Sequence, residues 1–164
     1  MKNEDKKLKI RIMALNGVML ALILAFQMIN LPNIITGIFV NAIFIFMTLY
    51  AGIGSSIIFC IISPFIALIT GHVLAPMYPV LPIIASGNIV FVVLYNKFKK
   101  NKFWIRGILP ALAKAITIGG VGWLIIHYFI PEMANWLVLP VLGVQFFTAV
   151  PGVWLGEKLK QKVK

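Results

Sequence analysis

Asn41, Asn88 and Gln145 stand out because each lies alone inside a long apolar run. A neutral amide is neither nucleophile nor base, but it donates and accepts hydrogen bonds at once, which is the chemistry of recognition. Gln27, Asn30 and Asn33 gather around one break in the chain, and His72 and Tyr78 share a proline-rich stretch. His127 follows Trp123 by one helical turn. With Trp123, Trp136, Tyr78, Phe129 and Phe146 as aromatic walls, these residues have the composition of a small-molecule pocket, a few polar groups among many apolar ones. Lys114 is isolated from every other basic residue. It either snorkels toward an interface or meets an anionic ligand group.

Other chemistry is missing. No acidic side chain falls in an apolar run, with Glu132 read as a loop residue and Glu157 as a helix end. Ion-coupled carriers usually rely on intramembrane carboxylates. No G-x-x-x-x-G-K-[ST] phosphate loop is present. Two histidines and one cysteine, Cys60, make neither a metal set nor an internal disulfide. No nucleophile has an evident base and orienting group. The expectation is a binding protein that is not an enzyme and carries no cofactor or metal.

The elements that position these groups follow from composition. The chain has 164 residues, of which 61% are hydrophobic and 12% charged, and its mean hydropathy is +1.00. Soluble domains carry about 25% charged residues. A soluble fold of this size would leave large apolar patches exposed, and disordered chains are poor in apolar residues. An integral membrane protein remains. The first apolar run is too long for a signal peptide, and no small-residue cleavage site closes it.

Charge placement gives the topology. Fourteen of the fifteen basic residues form clusters at Lys2–Arg11, Lys97–Arg106 and Lys158–Lys164, and no charged side chain occurs from Ile12 to Asn96. Positive-inside bias puts all three clusters in the cytoplasm, so these basic tails read as topology signals and not as a nucleic-acid surface. At about 20 residues per span, four crossings fit before the middle cluster and two after it. The expected fold is an all-α integral membrane bundle of six transmembrane helices with both termini inside. It comprises a basic cytoplasmic N-terminus at 1–9, a single transmembrane domain at 10–158 and a basic tail at 159–164. The expected helices cover about 10–30, 36–50, 55–70, 82–95, 107–129 and 137–158, with outer loops at 71–82 and 131–136. The second helix is short, which leaves open four spans with residues 31–82 partly re-entrant.

Counting depth along each helix puts Asn41, Asn88, Gln145 and His127 in the outer half of the membrane. The inner half is nearly all aliphatic apart from Asn16, Ser63 and Lys114. That asymmetry implies a polar cavity open to the outside above a dry plug. On the first helix, Gly17, Ala21 and Ala25 recur every four residues with Ala14 nearby. They form a flat stripe for close helix approach, either internally or from a separate subunit.

These features together resemble the substrate-binding membrane subunit, the S-component, of energy-coupling-factor (ECF) transporters. The likeness rests on six spans in about 165 residues and on the basic start leading into Ala14-Leu15-Asn16-Gly17 through Ala25. It also rests on the Pro/Gly-rich loop before the fourth helix, on Gly87-Asn88 and on the basic 4–5 loop. The resemblance implies capture of a vitamin or related micronutrient at the plasma membrane of a prokaryote. A membrane coupling subunit and two cytoplasmic ATPases would then drive import. It assigns docking to Ala14, Gly17, Ala21 and Ala25, with glycine replacing the family's usual first alanine. It assigns ligand contacts to Asn33, the segment from His72 to Pro82 that includes Tyr78, Asn88, Trp123 and Gln145, beside Asn41 from the depth count. Residue patterns of the biotin, thiamine and riboflavin members are absent. A neutral or carboxylate-bearing ligand fits best, with His72 or Lys114 as counter-charge. A ligand-free accessory protein and an intramembrane enzyme using His72 or His127 are the competing expectations.

Overall fold

The computed structural model describes residues 2–29, 31–73, 75–129 and 131–163, and their side chains except at 2, 3, 5, 76, 77 and 132–142. Asn30 and the side chains of Met77 and Trp136 therefore lie outside the described set. All regular structure among the described residues is helical. The helices are α1 (Lys2–Met28), α2 (Asn33–Tyr50), α3 (Ile53–Ile69), a 3-10 segment (Ala75–Val80), α4 (Leu81–Phe98), α5 (Trp104–Phe129) and α6 (Pro131–Lys162). Among the described residues, four apolar stretches are long enough to cross a membrane: Lys6–Met28, Asn33–Tyr50, Tyr78–Phe98 and Trp104–Phe129. Ile53–Ile69 is apolar but shorter.

Local chemistry sets the breaks. Pro32 has no amide hydrogen to lose and precedes the first turn of α2. Gly52 (φ +94°) and Gly71 (φ +71°) take backbone conformations that a side chain would strain. Gly71 closes α3, where the Thr70, Gly71 and His72 amides donate to the carbonyls of Ile66, Leu68 and Ala67. Helix α5 is not uniform. Its Trp104–Ile108 and Thr117–Val121 segments are π-helical and flank an α-helical Leu109–Ile116.

Three sequence expectations change. The basic N-terminus is not separate from the first helix, since α1 is helical from Lys2. Asn33 is the first residue of α2 rather than a loop residue, because Pro32 starts the helix there. The stretch Pro131–Trp136 is the start of α6 and not a loop. A proline at a helix start costs no hydrogen bond.

Contacts define the register. Glycines 37, 152 and 156 bring α2 and α6 together in parallel. A Cβ added at Gly37 would meet Thr148, one at Gly152 would meet Asn41, and one at Gly156 would meet Ala42 and Ile45. Helices α4 and α5 run antiparallel, with Gly87 against Ile118 and the Lys114 carbonyl and Tyr95 and Arg106 on one carboxylate. Gln27 bonds Ser63, and Phe26 stacks on Phe39, so the end of α1 meets the end of α3 and the start of α2. The start of α1, the α4–α5 connection and the end of α6 therefore share one end of the bundle, and that end carries all three basic clusters. The core between them holds Phe44, Ile45, Met47, Cys60, Phe91, Val92, Tyr95, Ala149 and Val153.

Candidate functional site

The polar centre of the bundle is a chain of three side chains from three helices. Lys114 on α5 donates from Nζ to Asn41 Oδ1 at 2.6 Å. Asn41 on α2 donates from Nδ2 to Thr148 Oγ1 on α6 at 3.2 Å. Thr148 in turn donates to the Gln145 carbonyl at 3.3 Å. All three side chains are buried, with Lys114 only 3% exposed. The amine also sits 5.3 Å from the centre of the Phe91 ring on α4, within range of a cation–π contact.

Small residues make this approach possible. Gly152 lies one turn past Thr148 and lets α6 reach the Asn41 Cβ, while Gly37 lies one turn before Asn41 and accommodates Thr148 itself. The π-helical turn begins three residues after Lys114, and the Thr117 amide contacts the carbonyls of both Ala113 and Lys114. Such turns are frequent at functional sites.

Lys114 does not belong to a dry inner plug. Its amine reaches the side chain of Asn41, so it joins the polar layer expected in the outer half. Depth counted from Cα positions missed this because a lysine side chain spans several ångströms.

The remaining site residues divide into groups. Asn88 is buried on α4 beside Gly87, and no side-chain hydrogen bond of Asn88 is formed among the described residues. Gln145 is half-buried one turn before Thr148. Trp123 stacks on His127 at 5.0 Å and packs against a second apolar cluster around Val80 and Ile126, with Val73, Ile83 and Ile84. Tyr78 in the 3-10 segment is exposed, as is Asn33. His72 is half-buried beside that segment, and burial lowers its pKa from the usual 6.5. Asn41 and the Gln145 carbonyl thus belong to the buried layer, and Trp123 belongs to a separate aromatic cluster near the far end of α5.

The docking candidates behave differently from the rest. Ala14, Gly17, Ala21 and Ala25 are all exposed along one face of α1. The opposite face turns Leu15, Met19, Leu20, Ile23, Phe26 and Gln27 toward the bundle.

Sequence reasoning missed Thr148 and Phe91 as partners of the layer, and it missed a clasp at the basic end. There Arg106 holds both Glu157 oxygens, at 2.6 and 3.0 Å, and Tyr95 donates to the same carboxylate at 2.9 Å. Arg106 opens α5 and Glu157 lies near the end of α6, so the pairing was available from their equal depth in the expected topology. No protein-family model, no curated protein and no solved structure matches this chain.

Proposed function

We propose that this chain is the substrate-capture subunit of an ECF-type importer, holding a vitamin or related micronutrient for a separate membrane coupling subunit and two ATPases. One observation carries the reading. Polar side chains from α2, α5 and α6 converge in the centre of an apolar bundle, while α1 leaves its small-residue face open. The first is a recognition layer without the means to drive transport, and the second is a surface flat enough for another helix.

The six-span arrangement belongs to this proposal. In it, α3 and α6 also cross, and the parallel register of α2 and α6 is what the second and sixth of six alternating crossings require. The shared basic end then faces the cytoplasm of a prokaryotic cell. The protein itself is no enzyme in this reading and binds no nucleic acid.

Binding without ATP tests it. Purified protein in detergent is screened against vitamins by thermal unfolding. A ligand present at about 1,000 times its Kd adds about 4 kcal/mol of stability, which raises Tm by several degrees. Asn88→Leu is expected to abolish the shift. A shift that survives changes at Asn88, Gln145 and His72 would refute the site, and no shift with any vitamin would refute capture.

A second reading, a ligand-free membrane accessory protein, has one observation in its favour. Asn41 and Thr148 bond each other, so part of the layer satisfies itself. The same screen decides between the two.

A further inference from the structure

Capture of a micronutrient does not in general require a charge deep in the bundle, yet Lys114 puts an amine there. It stands ten residues into α5, about 15 Å from the basic end of that helix. A snorkelling lysine carries its head to the interface, but this head is enclosed between Asn41 and Phe91. A buried cation is costly unless an anion meets it.

Among the described residues no carboxylate pairs with Lys114. No Asp or Glu occurs between Asp5 and Glu132, so α2 to α5 contribute no carboxylate. On α6, Glu157 lies nine residues beyond Thr148, about 13 Å along the helix, and Arg106 holds both of its oxygens. An ammonium offers three donors, and Asn41 Oδ1 is the one hydrogen-bond acceptor for this amine among the described residues.

We infer that Lys114, presented by Asn41 and Phe91, is an intramembrane anion site that takes the carboxylate of the captured micronutrient. The inference rests on the capture reading and narrows its substrate class to small carboxylic acids. A carboxylate fits better than a phosphate. One cation neutralises one charge, a phosphate monoester carries nearly two, and no second basic residue occurs between Arg106 and Lys158. Asn88 on the facing helix α4 is a source of a further donor. It follows Gly87, which packs on the Lys114 backbone itself, and its amide has no partner among the described residues.

The test compares acids with their uncharged twins. Nicotinate, pantothenate and lipoate are set against nicotinamide, panthenol and lipoamide, with Kd measured on the purified full chain in detergent. A charged hydrogen bond in a buried site corresponds to roughly 10- to 100-fold in affinity, so one acid is expected to bind at least tenfold tighter than its twin. Lys114→Met is expected to remove that preference. Asn41→Asp provides a second arm if the methionine variant does not fold. It places a carboxylate against the amine, so it is expected to raise the Tm of the ligand-free protein and to abolish the preference for the acid over its twin.

Equal binding of acid and twin, or a preference that survives Lys114→Met or Asn41→Asp, overturns the anion site and leaves capture standing. A lower Tm for Asn41→Asp also overturns it, because the amine would then not be seeking a counter-charge. Failure of every acid and every twin to bind overturns the anion site and counts against capture as well.

Discussion

Two helices of this protein carry small residues at four-residue spacing and use them in opposite ways. On α6, Gly152 and Gly156 press against α2. An added Cβ would lie 2.5 Å from the Asn41 Cβ at the first position and 2.6 Å from the Ala42 carbonyl at the second. On α1, an added Cβ at Gly17 meets nothing within 4 Å, and Ala21 and Ala25 are exposed. The spacing alone therefore says only that a surface is flat. What covers it depends on the rest of the helix. Along α6 the neighbours of the glycines, Ala149 and Val153, are fully buried, so the flat face is the inward one. Helix α1 turns Leu15, Met19, Leu20, Ile23 and Phe26 inward, and its small residues face away, beside exposed Val18, Leu22 and Leu24.

The largest effect that can break this contrast is a leucine in each stripe. Gly156→Leu drives a side chain into the α2 backbone, which cannot move without disturbing the whole seam. The expected cost is about 3 kcal/mol or more, seen as a large drop in Tm in detergent or as failure to recover folded protein. Ala21→Leu adds the same bulk to an open face and is expected to stay within about 0.5 kcal/mol of the parent. Equal losses from the two would show that α1 is as closely covered as α6.

Legibility in the sequence followed the same division. The all-helical apolar character and the shared basic end are readable, because hydropathy and charge act along the chain, and so is the small-residue stripe on α1, though not the direction it faces. Partners across the bundle are not. Asn41 was recognisable as a costly amide, but nothing local said that Lys114 and Thr148 would meet it. Those contacts depend on Gly37 and Gly152 letting backbones approach. The Gly152-x-x-x-Gly156 spacing carries the same signal in the sequence as Gly17, Ala21 and Ala25. The start of α6 is hidden in the sequence because Pro131 reads as a loop residue, although at the first turn of a helix it breaks nothing.

The next effect concerns partnership more than stability. If the open face of α1 docks a coupling subunit, Ala21→Leu separates a partner without loosening the fold. Affinity-tagged protein carrying the change is expected to lose the coupling subunit in co-purification and to keep the Tm shift given by its ligand. Unchanged co-purification would place the docking face elsewhere. Loss of both properties would mean that α1 supports the site through the bundle.

The smallest effect is the most discriminating, because the same substitution should change sign between the two stripes. Alanine is favoured over glycine inside a helix by about 0.5–1 kcal/mol when there is room for its methyl group. At Gly17 there is room, so Gly17→Ala is expected to raise Tm slightly. At Gly152 the methyl meets the Asn41 Cβ at 2.5 Å, with the Ala42 nitrogen and the Ile38 carbonyl both at 3.2 Å. Backbone atoms on two sides leave no flexible group to yield, so Gly152→Ala is expected to cost about 1–3 kcal/mol. The seam must widen to accept it, and Asn41 would be displaced from Lys114 as well. A Gly17→Ala variant that lost stability to the same extent would mean that the α1 face is already buried in the purified protein. Its apparent openness would then belong to the isolated chain, and a second copy held in detergent would be its first occupant to test.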